Sequence, residues 1–592
     1  MDQEDPQSVG AGVKTPKNKP QGTSDSEITS MVLARWGALD GQASYWMQMW
    51  QTLSTFVMPR KSYILNKQIG PNVDRESQLF DTTAVRANQI MAAGIMSYVN
   101  DADSNWVQLT APEGMDEDEG VEEYYAECSK IILQELARSN FYNTIHETHL
   151  DRGCFGTASV FVDSGESANL LFKTWDVGTF RISENNEGYV DTIFVKVEMT
   201  VRQMVEEYGL DKVSEKVRRM YELGDGKSMD EPLSVIQAIY PRKEGRDKNK
   251  KDGPNKPIAS VHVEYGTKHL LRNAGFDEQP FFVTRFLKWQ QSPYGWSPAW
   301  IALPDARQLN FLQKQMDSLA ELAAFPRILV PEGMSGAPDL RAGGITYFDE
   351  SDPNQMPKEW ATQGRYDIGQ DRITMKQKHI EDAFNVPLFQ MFAQEDAQAT
   401  SPITATQVRA MESEKLVMLS PTYSRLTTEL LIPLIKRVYG ILSRAGMMPS
   451  PPKALIQVGP TGDPESAYIP DPKVVFNNRM AIAVSTRAVD AIDPIIGGML
   501  QTCQITQDMS PMDNFNFDEI CRKKALIGGV DPEFLRDEQE IAGIRQQRAQ
   551  AQQAAAQQQQ QAHAAQVAQQ LGSVPQDSPI SPAIQKLAQQ AQ

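Results

Sequence analysis

The chain has 592 residues, 41% of them apolar, with 25 methionines and a formal net charge of −18. Such a length and apolar content allow several packed units, whereas the acidic balance excludes a polycation that holds nucleic acid through its overall charge. No apolar run approaches the ~18 residues of a membrane helix, and Met1 to Ser26 is polar and proline-dotted, unlike a signal peptide.

Residues 1–25 are expected to form a disordered tail. From Ser26 to Met58 a helical pattern carries Val32, Trp36, Leu39, Trp46, Met49, Trp50 and Leu53, and Pro59 ends it. The next helix starts with Asp81 as N-cap and places Phe80, Ala84, Ala87, Met91, Ile95 and Tyr98 on one stripe. NWVQLTAP then reads as a short extended segment with Trp106 buried. The acidic stretch Glu113 to Glu123 opens a helix to Arg138, followed by a helix to Asp151, a glycine turn and a strand from Ala158 to Val162.

Residues 170–290 turn to strands: LLFKTW, TFRIS, YVDTIFVKVEM, SVIQAIYP, ASVHVEY and PFFVTRFLKW are rich in β-branched and aromatic side chains. One helix, Thr200 to Leu223, interrupts them, and RKEGRDKNKKDGPNK is a solvated loop or hairpin tip. A helix with Leu309, Leu312, Met316, Leu319 and Ala323 on one face follows. Residues 326–370 read as short strands and loops, and helix returns from Asp371 to Asn385.

The longest periodic stretch is 404–446, with apolar steps of mostly three and four residues. Thr404 or Thr406 can cap its start, and Arg444 with Gly446 makes a basic, glycine-type stop. If helical throughout it spans about 65 Å. Pro421 and Pro433 lie inside it, so kinks or a break into shorter helices are expected. Leu416, Leu419, Tyr423, Leu426, Leu430 and Leu434 are its packing residues. Beyond it, PPKALIQVG and DPKVVFNNRMAIAVST read as strands and helix resumes from Ala488. The Ala/Gln-rich end carries no wide apolar face.

Signals for chemistry are weak. GDGKS at Gly224–Ser228 has Tyr221 where a phosphate loop needs glycine, and a helix rather than a strand precedes it. His146 and His149 are spaced i, i+3 rather than i, i+4, so they do not grip zinc as a helical pair does. Cys128, Cys154, Cys503 and Cys521 lie far apart and are expected to be buried, reduced thiols. Catalytic, cofactor-binding and metal residues are therefore expected to be none, and the protein is not expected to be an enzyme. The helix at 371–385 is more informative. Arg372, Lys376 and His379 fall at i, i+4 and i+7, apart from Ile373, Ile380 and Phe384 on another face.

LFDTTAVRANQIMAAGIMSYVNDADSNWVQL, the Ser139–Phe141 SNF with its glycine turn to Ala158, and QPFFVTRFLKWQQSPYGWSPAWIALPDARQLN carry a resemblance. It continues in the 404–452 stretch and in LIGGVDPEFLRDEQEIAGIRQQRAQAQQ. Together they resemble the portal, or head-to-tail connector, proteins of short-tailed double-stranded DNA bacteriophages, over most of residues 26–550.

The resemblance implies an α+β, mainly helical subunit in a ring of twelve at one capsid vertex, around a channel for packaging and ejecting DNA. It implies a wing at 26–298, stem helices at 299–325 and 371–387, and a clip at 326–370 between them. A tunnel loop at 388–403, a spine at 404–446, a wing or crown return at 447–545 and a tail at 546–592 complete the order. Channel candidates are Arg372, Lys376 and His379, with Gln394, Glu395 and Asp396 at the rim. Implied partners are double-stranded DNA, the terminase large subunit, the major capsid and scaffolding proteins and a tail adaptor. No cofactor or membrane is implied, and the location is the virion, with host cytoplasm during assembly. From the residues alone, a helical scaffold that self-associates without a DNA channel is the alternative.

Overall fold

The computed structural model describes residues 25–65, 79–112, 120–165, 169–242, 250–329, 358–360, 366–390, 419–458 and 467–482, and short stretches of 492–558, apart from residues 62, 251, 290, 291, 325 and 326. Two units are distinguished, residues 1–484 and 485–592, and the sites below belong to the first.

In chain order the first unit holds α1 (Asp25–Val57), α2 (Thr83–Val99), β1 (Val107–Thr110), α3 (Val121–Arg138) and α4 (Phe141–Phe155). Next come β2 (Thr157–Asp163), β3 (Leu171–Trp175), β4 (Phe180–Glu184), β5 (Val190–Thr200), α5 (Val201–Tyr208), α6 (Glu215–Glu222) and the one-turn α7 (Gly226–Met229). Then follow β6 (Pro232–Pro241), β7 (Ile258–Glu264), β8 (His269–Phe276), β9 (Phe281–Arg285), α8 (Pro298–Ala324), β10 (Arg327–Leu329) and β11 (Lys358–Trp360). α9 (Tyr366–Ala383), α10 (Val386–Phe389), α11 (Ser420–Leu426), α12 (Ile432–Arg444), β12 (Gln457–Val458), β13 (Ala467–Tyr468) and β14 (Lys473–Phe476) complete it. The second unit contains α13 (Ile492–Thr506) and α14 (Phe517–Ile527).

Strands β4 to β8 form an antiparallel meander, and β3-β2-β9 a three-stranded antiparallel sheet. The meander is covered on both faces, as the two-residue strand period requires. Ile236 and Ala238 pack under Val32 and Trp36 of α1, while Val235 and Leu271 meet Val201, Met204 and Val217 of α5 and α6. The far half of α1 enters the main core through Trp50, Leu53 and Val57. Trp106 is fully buried, as expected, stacked on Phe141 at 6.0 Å and on Phe476 at 6.3 Å. That second stack is possible because β1 pairs with β14, Val107 opposite Phe476.

Several boundaries differ from the sequence expectation. The Thr200–Leu223 helix is two helices, because Gly209 has φ +86° and stops α5, whereas Ser214 accepts from Val217 N–H and starts α6 anew. α4 continues past Asp151 to Phe155, and Gly156 supplies the turn with φ +78°. There its missing Cβ lets the chain lie against the backbone of Gly295 and Trp296. β8 has no β-branched residue and lies outside the segments that composition marks as strands. Thr82 is the N-cap residue of α2, yet Asp81 does cap a backbone donor, its Oδ1 accepting from Thr83 N–H at 2.8 Å. Phe80 leaves the predicted stripe and is 40% exposed, under the ammonium of Lys314. α9 begins five residues before Asp371. Cys128, Cys154 and Cys503 are buried free thiols, but Cys521 is exposed. Residues 1–24 lie outside the described residues, as do most of 326–365 and of the Ala/Gln-rich end.

Candidate channel helices and the anchored spine

α8 and α9 lie antiparallel. Gly369 has no side chain, so Met316 occupies the space beside it, and Leu309, Ile373, Ile380 and Phe384 are buried in the same core. Seven residues along α9 from Gly369, Lys376 donates to Asp305 Oδ1 at 2.6 Å, and His379 Nδ1 stands 3.9 Å from Asp305 Oδ2. Lys376 therefore presents a compensated charge, not a free one. Arg372 is exposed and His379 is 44% exposed, on the side of the pair marked by Asp305. The opposite side is occupied: Phe80 N–H donates to Asn310, and Gln377 donates to Asp81. Gln394, Glu395 and Asp396 lie outside the described residues.

The spine is described from Leu419 onward. Pro421 sits in the first turn of α11, where a missing N–H costs no helical bond. Pro433 is accommodated by a π turn, Thr427–Leu431, in which Ile432 N–H reaches back to Thr427 O. Leu426, Leu430 and Leu434 are buried to within 1% of exposure, each contributing about 1.5–3 kcal/mol by area. Leu419 is buried at the margin, and half-buried Tyr423 donates to Asn478 Oδ1 at 3.1 Å. Leu416 lies outside the described residues.

Four ionic residues that sequence reasoning missed hold this spine. Arg285, at the end of β9, is 1% exposed and pairs with Glu184 and Glu429, the latter at 2.6 Å. Glu429 stands in the π turn and also takes Arg425 at 3.2 Å. Arg152 of α4 donates to Thr422 O at 2.8 Å with its guanidinium over Phe286, and burial lowers its pKa to about 9, leaving it charged at neutral pH. Beyond the turn, Glu278 receives Arg437 at 2.9 Å and Arg444 at 2.5 Å, lying across Gly440 where a Cβ would collide with it. Those two cations hold the Glu278 carboxyl below the usual range against the opposing effect of burial. The one sequence signal for this anchoring was Glu429 itself, a lone acid in TTELLIPLI.

The weak chemical motifs resolve into structure. Gly224 has φ +63° and leads into α7, with Lys227 exposed. His149 is fully buried with neither ring nitrogen hydrogen-bonded, and burial pulls its pKa to about 3. Among the described residues, no three His, Cys, Asp or Glu side chains stand close enough to hold a metal ion, and no helix is long and apolar enough to cross a membrane.

Residues 29–535 match the family model described as bacteriophage head to tail connecting protein. The chain belongs to that family. The chain is 30% identical to a probable portal protein of Bordetella phage BPP-1, over 92% of its own length and 95% of the relative. It is 29% identical to the portal protein of Salmonella phage epsilon15, over 90% and 93%. A chain in the neck of an empty gene transfer agent particle is similar at 12% identity and TM-score 0.31, covering 71% of this chain and 88% of that one, too slight a likeness to establish the fold.

Proposed function

We propose that twelve copies of this chain close into a ring at one capsid vertex, through which viral DNA is packaged and later ejected. The similarity to two phage portal proteins along nine-tenths of the chain carries this reading. In it, α8 and α9 form the channel wall. Arg372 and His379 face the DNA, Lys376 is neutralised by Asp305, and the loop with Gln394, Glu395 and Asp396 narrows the passage. A formal charge of −18 on each copy suits a conduit that must let phosphates slide, because many cationic contacts would bind them in a salt-sensitive grip. The terminase large subunit docks at residues 326–370 and supplies the packaging energy, while the major capsid protein, scaffolding protein and a tail adaptor contact the outer regions. The ring acts in the virion after assembly in host cytoplasm. Negative-stain microscopy of the purified protein tests the reading: rings with a central hole support it, and rods or monomers refute it.

A further inference from the structure

We propose that a small monovalent anion of the chloride type binds beside Arg152, in a cavity between α2, α4, α10 and the start of the spine. Arg152 is 1% exposed, yet its acceptors are neutral: Nη2 donates to Thr422 O at 2.8 Å and to Arg285 O at 3.4 Å. Its Nε–H finds no acceptor among the described residues. The guanidinium lies over the ring of Phe286, a weak substitute for a counter-ion. A buried charge is costly unless it is paired. Burial draws the Arg152 pKa down to about 9, so the group is still cationic at neutral pH. The surroundings do not supply the missing charge. Arg285, Arg425 and Lys288 already share Glu184 and Glu429, so with Arg152 four cations stand against two carboxylates in this network.

Arg152 lines a cavity that can hold the ion. One water-sized occupant needs about 10–15 Å³, and this cavity offers about 20 Å³. Met91, Ile95, Leu426 and Met480 give it apolar walls, and Asn385, Thr422 and Tyr423 are its other polar residues. No acidic side chain lines it, so nothing there repels an anion. The space is too small for sulfate or phosphate but admits a single chloride. A lone water could accept from Nε–H, but it would leave the positive charge uncompensated. The bound ion joins α2 and α4 to the start of the spine, so chloride becomes part of what holds that helix in place.

The test uses the full-length protein at constant ionic strength, with chloride replaced stepwise by gluconate, an anion too large for the cavity. The urea midpoint should fall as chloride is withdrawn, because an ion that binds only the folded chain stabilises it by mass action. Arg152→Gln should abolish that dependence, whereas Arg219→Gln, at a side chain 72% exposed, should keep it. Independently, crystals grown in bromide should show an anomalous bromine peak beside Arg152 Nε. A midpoint that ignores chloride, or responds to it equally with and without Arg152, overturns the proposal and leaves the cavity to water or to a carboxylate of the chain itself. A bromide peak with no chloride effect on stability is an adventitious ion only and also overturns it. If Arg152→Gln does not fold, the chloride dependence and the bromide peak of the unsubstituted protein decide together, and absence of either overturns the site.

Discussion

Glu429 accepts from both the backbone and the guanidinium of Arg285: the N–H lies 2.8 Å from Oε2, and Nη2 lies 2.6 Å from Oε1. The two residues are 144 positions apart, and their contact fastens the end of β9 to the middle of the spine. Arg285 is almost wholly buried, so losing this partner leaves a desolvated cation with only Glu184 to compensate it. Glu429→Ala should cost about 3–5 kcal/mol, read from urea midpoints. A loss under 1 kcal/mol would mean that Glu184 and water suffice.

The spine leucines give an independent measure of packing. Leu426→Ala and Leu430→Ala should each cost about 2–5 kcal/mol, since both side chains are fully enclosed. Unchanged melting in both variants would show that this helix is not a packed axis.

Stability should fall on mild acidification, because His149 and His262 are both buried with pKa values drawn down to about 3 by desolvation. The unfolded chain takes up protons near pH 6.5 while the folded one does not, so their contribution is intact above about 6.5 and is lost progressively toward 3. Between pH 7 and 5 each should remove about 2 kcal/mol. Asp151 acts oppositely: burial raises its pKa to about 6 despite the Lys61 bridge, so its protonation favours the fold between about pH 4 and 6. Denaturation at the two pH values should show a smaller difference for His149→Leu than for the unsubstituted protein. An equal difference would exclude His149 as a source.

The purified protein should not hydrolyse nucleotides. Tyr221 stands in place of the glycine a phosphate loop requires, and α7 is a single exposed turn. Turnover that copurifies with the chain and disappears in Lys227→Ala would contradict this.

Arg372→Glu with His379→Glu should leave ring formation intact while impairing packaging or retention of DNA, as particle DNA content would show. Lys376→Glu belongs to a different class, because it sets two carboxylates side by side at Asp305 and should lower stability first. Normal DNA content in the Arg372/His379 variant would place those side chains away from the phosphates.

Local rules read most of the elements correctly, and their failures have physical causes. Gly209 breaks a helix whose apolar spacing continues across it, so periodicity alone joined α5 to α6. β8, HLLRNAGF, lies at the edge of its sheet and satisfies its pairing from β7 without β-branched residues. The basic spacing of Arg372, Lys376 and His379 was legible on one helix, but Asp305, which neutralises Lys376, comes from a helix 71 residues earlier. Arg152, Arg285 and Glu278 were invisible for the same reason, since a buried ion pair is a property of two distant segments brought together.

Counted as chain length, the π turn is one residue of surplus. An α-helix turns about 100° per residue, so removing one residue between Thr427 and Leu431 would take out the π turn and rotate everything after it by that angle. Leu434, Ile435, Val438 and Leu442, all buried, would leave the core together, and Arg437 would swing away from Glu278. A single-codon deletion there should thus be more damaging than most single substitutions nearby, because it would also set Pro433 inside a regular helix, where it lacks a donor and clashes one turn back. The extra residue sets the phase between the half of the spine that Arg152 and Arg285 hold and the half that Glu278 holds.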